Sequence, residues 1–429
     1  MAPIRIGLVG VAGFGESHLK SIAYCEEKGV ARLLAAVIRN PEKDAAREAE
    51  LRARGVRIYR NYEKMYQDEM GKLDLIAIPC GIDQHEELSI RALTAGYHVM
   101  CEKPAAGTAA EVERMKAAAD ASGNILAIGY QNIYSPSIQA VKNAVLAKRF
   151  GRLIKAKTYV LWPRSSAYYK RNGWAGHIRF AGKAVHDSPM QNAVAHFLNN
   201  MLYVAGRTHD ASANPVSVYM ENYRIKEIES ADTQFIRVIT DAKVPVSFIA
   251  SHACAEQFGP VTEFICEKGK MVWTGQSKAD FYRANGKGYE LVETIDNGKI
   301  PLHHLVFMNV CEAIEKGTKP LTTIANAMQQ VICIDNGFRS SGGVVVVDMK
   351  YGKKLPIEKE AYNPNLDVSN EHNAVITGIE DTVKAMFDED KGFFEMKLPW
   401  AKKSRTIVLA AKKAKPAPGK KPKGKKRRR

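Results

Sequence analysis

Between residues 4 and 130, short apolar runs alternate with longer segments in which apolar and polar residues mix at helical spacing. IRIGLV, RLLAAVI, VRIY, LDLIAI, YHVMC and ILAIG are too short for buried helices and apolar enough to be covered on both faces, which predicts parallel strands. The segment NPEKDAAREAELRARG predicts a helix with Asn40 as its cap, Pro41 in its first turn and Gly55 beyond its end. Thr108 followed three residues later by Glu111 predicts another, opened by a capping box. Such alternation specifies an α/β domain, a parallel sheet with helices on both faces, over residues 1–135.

After residue 150 the period changes to two. RLIKAKTYVLW, VSVYMENYRI, TQFIRVIT, VPVSFIASHA and VTEFICEKGKMVW predict a large, mainly antiparallel sheet. Helical patterns near 136–148, 189–204, 302–316 and 325–338 can cover one of its faces, defining a C-terminal α+β domain over residues 136–345. Residues 346–400 form a less periodic extension, with strand-like GGVVVVDM leading into it, loop-like YNPNLDVSNEHN and a helical stretch near 375–387. It reads either as a subunit-contact arm or as a pocket lid.

Over 429 residues, 45% hydrophobic and 25% charged is globular composition and excludes a disordered or fibrous chain. No apolar run approaches the roughly 18 residues of a membrane span, and the first strand lacks the basic lead-in of a signal peptide. A start at Met1 or Ala2 and no membrane segment are therefore expected. Seven cysteines, an odd number without CxxC spacing, point to reduced thiols in a cytoplasmic protein, and no metal site is expected. The net charge of +17 is localised: residues 401–429 carry 14 Lys or Arg and no Asp or Glu, leaving 49 basic against 46 acidic residues elsewhere. That tail is expected to be disordered, as a solubilising extension or a nonspecific contact to a polyanion.

The first strand runs into GVAGFGESHL. Gly10, Gly13 and Gly15, with Ala12 where a GxGxxG turn has its second glycine and Phe14 before the third, suit a turn that brings backbone N–H groups against a dinucleotide pyrophosphate. The second strand ends at AAVIRN, where Arg39 stands in place of the carboxylate that holds ribose hydroxyls in an NAD site. A guanidinium pairs with a 2′-phosphate, so NADP(H) is favoured over NAD(H). YHVMC leads directly into Glu102, Lys103 and Pro104. Charge at the end of a buried strand is poor core material, so the trio is either a solvated loop or part of a site.

Through IGLVGVAGFGESHL, CGIDQHEELSIRALTAGYHVMCEKPAAGTAAEVERM and AIGYQNIYSP, the chain resembles the family of glucose-fructose oxidoreductase, inositol dehydrogenase and MocA proteins over about residues 4–340. The resemblance implies a Rossmann NAD(P)-binding domain followed by a substrate and oligomerisation domain. It also implies an NAD(P)-dependent oxidoreductase acting on a secondary hydroxyl of a sugar, sugar derivative or cyclitol, assembled as a homodimer or homotetramer through the large sheet. It puts Lys103 at the hydride-transfer site as a proton-handling and substrate-binding group, with Glu102 orienting that lysine or the cofactor. His85, at a helix start, is either a cofactor contact or a packing residue. Cys80 and Gly81 replace the family's usual Thr-Pro beside the cofactor.

Asn192 and His196, four apart in an apolar pattern beginning near Pro189, share one helix face. The family usually has Asp and His there, so the resemblance makes His196 an acid/base and Asn192 a substrate-orienting amide in place of the carboxylate. Asp187 either restores that charge or caps the helix. Trp162, Trp174 and His177, with Arg164, Tyr168, Arg179 and His186, fall in the preceding loop, a mixture suited to a sugar ring and its hydroxyls or to a subunit contact. Two alternatives use the same residues. One is a redox-neutral enzyme that retains its NAD(P) for epimerisation, disproportionation or oxidation-assisted glycoside cleavage; the other is a non-catalytic nucleotide or sugar sensor.

Overall fold

The apolar runs of the first domain become strands whose neighbours bury both faces, apart from VRIY at the sheet edge, and helices return the chain between them. The computed structural model describes residues 2–360 and 368–409. In order come β1 (Ile4–Val9), α1 (Gly15–Glu27), β2 (Ala31–Val37), α2 (Ala45–Ala53), β3 (Arg57–Tyr59), α3 (Tyr62–Asp68), β4 (Leu75–Ile78), α4 (Ile82–Thr94), β5 (His98–Cys101), α5 (Ala109–Ser122) and β6 (Leu126–Ile128). The strands pair in parallel in the order β3-β2-β1-β4-β5-β6. The order reverses between β1 and β4, and a crevice opens at the carboxyl ends there.

The capping box of α5 forms as expected: Glu111 N donates to Thr108 Oγ1 at 3.3 Å and Thr108 N to Glu111 Oε2 at 2.8 Å. Asn40 does not cap α2. Its side chain accepts from Lys43 N at 3.1 Å and caps a separate turn containing Pro41, so the helix starts only at Ala45.

The second domain continues with α6 (Pro136–Leu146), β7 (Leu153–Leu161), α7 (Ser166–Tyr169), the short pair β8 (Arg179–Phe180) and β9 (Lys183–Ala184), and α8 (Ala195–Ala205). Strands β10 (Pro215–Arg224), β11 (Thr233–Thr240), β12 (Pro245–Ser251), β13 (Phe258–Cys266), β14 (Gly269–Thr274), β15 (Lys278–Ala284) and β16 (Tyr289–Asp296) precede α9 (Leu302–Lys316) and α10 (Ile324–Ser341). The last described elements are β17 (Val345–Val346), β18 (Gly352–Pro356), β19 (His372–Ile376), α11 (Ile379–Glu389) and β20 (Ile407–Val408). The main sheet has ten strands, in the order β16-β15-β14-β13-β7-β12-β11-β10-β17 with β20 beside β10, and only β7–β12 and β10–β17 run parallel. α6, α8 and α10 cover one face.

The other face departs from expectation. Ile376, Ile379, Met386, Phe387 and Phe393 bury against Leu161, Tyr223, Phe235 and Ile249 of the sheet. Over these strands the face assigned by resemblance to a second subunit is covered by the chain's own extension. The helix expected near 375–387 is split into β19 and α11 because Gly378 takes a left-handed turn between them, with φ +72°. The basic tail begins later than residue 401, since Ile407 and Val408 pair with Val218 and Ser217; residues 410–429 lie outside the described residues. Among the described residues no helix is long and apolar enough to cross a membrane.

α8 also starts later than expected, at Ala195 rather than near Pro189. Polar groups of 188–194 are engaged elsewhere. Met190 N donates to Gln234 Oε1, the Asn192 carbonyl accepts from Lys103, and the Asn192 amide donates to Asp187. Asn192 therefore lies in a turn before the helix that carries His196, and the two do not share a helix face.

Candidate active site

The Gly-rich turn, the ends of β2, β4 and β5, and the loop 164–174 with Asn192 line one continuous cleft of about 1280 Å³. At its centre Gly10 has φ +100° and Gly13 φ +58°, conformations open to glycine. A Cβ at Gly15 would lie 2.5 Å from the Gly10 carbonyl oxygen, so only glycine lets α1 begin this close to β1. No side chain caps α1, and its positive dipole end is formed by the turn whose Ala12, Gly13 and Phe14 line the cleft. This cradle fits a dinucleotide pyrophosphate. Cys80 lies beside it, its Sγ donating to the Val9 carbonyl at 3.0 Å; burial pushes the thiol up to about 12, so it is not a thiolate.

Arg39, Lys43 and Arg60 line the end beneath β2, together with Asp44. Arg60 is spent on Glu48 at 2.7 Å, whereas Arg39 makes only a 3.3 Å contact to Gln84 Oε1.

At the opposite end, β5 delivers Glu102 and Lys103, and the Lys103–Pro104 peptide is cis. The two side chains go different ways. Lys103 Nζ lies 2.9 Å from the Asn192 carbonyl oxygen and 3.2 Å from its Oδ1. Asn192 Nδ2 donates to Asp187 Oδ1 at 2.9 Å, while Asp187 Oδ2 accepts from Gly176 N at 2.7 Å and Arg171 Nη2 at 3.2 Å. Asp187 thus lies one amide away from the lysine. Burial pushes the Lys103 ammonium below the usual lysine range; Glu102 and Asp187 pull it back up and Arg171 lowers it further.

Glu102 turns into the protein, with Oε1 2.9 Å from His18 Nε2 and Oε2 accepting from Lys103 N at 3.1 Å. Burial raises its pKa, but the His18 hydrogen bond and the positive surroundings outweigh that and hold the carboxyl below its ordinary range. His303, from α9, belongs to the same surroundings. A Cβ at Gly129 would stand 2.6 Å from Glu102 Oε1, so glycine there leaves the carboxylate its place.

His85 does not line the cleft. It is buried with Nδ1 2.8 Å from the Pro104 carbonyl and Nε2 3.0 Å from that of Cys80, tying the ends of β4 and β5 together from behind. His196 is 6% exposed beside the Tyr130 ring, 5.6 Å between centroids, and its Nδ1 has no partner. Burial, then Lys103 and His303, push it well below the ordinary histidine range, which keeps the imidazole neutral near pH 7.

Of the loop aromatics, Trp174 lines the cleft and Trp162 does not; Trp162 packs edge-on against Phe197. His177 faces a separate cavity of about 480 Å³ and contacts Glu229 at 3.2 Å, so it is removed from the proposed substrate contacts. The structure adds Arg171 and Asn172, which line the cleft, and His18. His18 was legible as a histidine three residues past Gly15 on an otherwise buried helix face. Arg171 and Asn172 sit in a loop with no period to read.

Residues 4–130 match the family model described as an oxidoreductase family with an NAD-binding Rossmann fold. An inositol 2-dehydrogenase of Saccharopolyspora erythraea is 24% identical over 152 residues, 35% of this chain and 43% of that protein. The matched stretch therefore spans less than half of that curated relative. The WlbA dehydrogenase of Bordetella pertussis, solved with NADH and UDP-GlcNAcA, superposes with TM-score 0.66 at 24% identity, covering 80% of this chain and 96% of its own. Levoglucosan dehydrogenase, solved with NADH and levoglucosan, gives TM-score 0.67 at 16% identity over 79% and 97%. At these identities the likeness is one of fold.

Proposed function

We propose that the chain, whose residues 4–130 match the oxidoreductase family of glucose-fructose oxidoreductase, inositol dehydrogenase and MocA, is an NAD(P)-dependent oxidoreductase oxidising a secondary hydroxyl of a sugar, sugar derivative or cyclitol. The observation that carries this reading is the Lys103–Asn192–Asp187 chain, built into the same cleft as the Gly-rich turn. Names of similar proteins support the substrate class, since the inositol and levoglucosan dehydrogenases act on polyhydroxylated rings.

Gly10 to Gly15 would hold the pyrophosphate, and Arg39 and Lys43 suit the adenosine end. When bound there, the nicotinamide supplies the hydride acceptor. Lys103 Nζ receives the hydroxyl proton, a role favoured by the burial that lowers its pKa and so eases loss of its own proton. The Asn192 side chain holds both the lysine and the substrate hydroxyl in register, and Asp187 offsets the charge the lysine gains. His196, neutral and buried behind them, orients the substrate or passes the proton on. Arg39 and Lys43, which line that end without an ion pair among the described residues, favour a 2′-phosphate and hence NADP(H).

The test is to mix the protein with NADP+ or NAD+ and a panel of inositols, pyranoses and anhydrosugars and follow nicotinamide absorbance. Reduction with at least one ring polyol is expected. Nucleotide binding without net reduction across the panel would leave the redox-neutral enzyme or the non-catalytic sensor.

A further inference from the structure

We infer that the substrate end of the cleft contains a subsite for an anionic group on the sugar, a carboxylate or a phosphate, anchored by Arg164; this rests on the dehydrogenase reading above. Three cations line that end, Lys103, Arg164 and Arg171. Two are compensated. Lys103 has Glu102 and Asp187 in its field, and Arg171 is paired with Asp187 at 3.2 Å while its Nη1 donates to the Tyr168 carbonyl at 2.9 Å.

Arg164 has no carboxylate partner, its side-chain hydrogen bond being to the Tyr168 hydroxyl. Its Nη1 donates to the adjacent Pro163 carbonyl at 2.9 Å, and its Nε is buried with no hydrogen bond at all. Among the described residues no carboxylate forms an ion pair with it. Aromatic rings hold it in place instead: the guanidinium lies 5.8 Å from the Trp162 ring centroid and 5.1 Å from that of Tyr168, which Arg171 also covers at 3.8 Å. Such contacts orient a planar fork without neutralising it.

A half-buried guanidinium with an idle Nε–H carries a desolvation cost that no carboxylate among the described residues offsets. An incoming carboxylate or phosphate accepts two parallel N–H bonds from such a fork and supplies the missing charge. The Gly-rich turn already suits the dinucleotide's pyrophosphate, and Arg164 enters the same cleft from the second domain. The anion takes no part in the redox step; it fixes the ring so that one C–H faces the nicotinamide.

The test is calorimetric titration of the nucleotide-loaded protein with D-glucuronate, D-glucose 6-phosphate and D-glucose. One of the two acids is expected to bind roughly 10- to 100-fold more tightly than glucose, as hydrogen bonds to a charged group imply. Arg164→Gln should remove that advantage and Arg164→Lys should keep part of it. Added KCl should weaken the acid's binding in the unmutated protein and leave glucose unaffected. Which acid wins assigns carboxylate or phosphate. Equal binding of all three, or an advantage that survives Arg164→Gln, overturns the subsite even if glucose is oxidised. Tight, Arg164-dependent acid binding without turnover supports the subsite and removes only the dehydrogenase reading.

Discussion

The Asn192 amide donates to the Asp187 carboxylate at 2.9 Å while its oxygen faces Lys103 Nζ at 3.2 Å. The amide at 192 thus relays a charge held five residues upstream. Asp187 raises the lysine's pKa, so its removal lowers it further. A base works only when deprotonated, and Asp187→Asn should therefore move the acid limb of kcat/KM for oxidation to lower pH. An unmoved limb, or one displaced upward, would remove Asp187 from this role.

At the adenosine end Arg39 makes no ion pair among the described residues and contacts only Gln84 Oε1, at 3.3 Å. Arg39→Asp is expected to swing the NADPH-to-NADH affinity ratio toward NADH by roughly 10- to 100-fold. Fluorescence titration with both nucleotides checks this, and an unchanged ratio would exclude Arg39 from reading the 2′ position.

His18 and Glu102 are 2% and 5% exposed, and removing His18 leaves the Glu102 side chain with the Lys103 backbone N–H as its partner among the described residues. His18→Leu should destabilise the protein by about 3–5 kcal/mol, the cost of removing one partner of a buried ion pair. Urea unfolding measures it. A loss below about 1 kcal/mol would mean the carboxylate is satisfied elsewhere.

Trp400 stacks edge-on to Tyr223 at 4.9 Å and against Phe393 at 5.3 Å, fastening the extension to the sheet. Truncation to Ala should cost about 1–3 kcal/mol, less than for a fully buried Trp because Trp400 is only partly buried. Because Glu360 of the same extension accepts from Ser165 N at 3.1 Å, at the N-terminus of α7, substrate KM should rise with it. A Trp400→Ala protein with unchanged unfolding midpoint would show the extension to be independently held.

Most of the first domain was legible because its signals are local: apolar runs, a capping box at Thr108 and glycines at a turn that only glycine can make. Lys103 was legible for a related reason, since a charge at the end of a buried strand has few places to go. The second site half was less so. A helix from Pro189 is what periodicity predicts, but tertiary bonds to Gln234, Lys103 and Asp187 hold 188–194 as a turn. The same holds for His85, whose two carbonyl partners come from other strand ends, and for the extension, whose apolar residues gave no sign of which face they cover.

The most direct measurement is the turnover of Lys103→Ala alongside its nucleotide affinity. A fall in kcat of about 100- to 10,000-fold, with nucleotide Kd held within a few-fold, is the expected result for a proton-handling group in a preformed dinucleotide cleft. Normal turnover by that variant would contradict the role given to Lys103, and with it the chemistry assigned to the cleft.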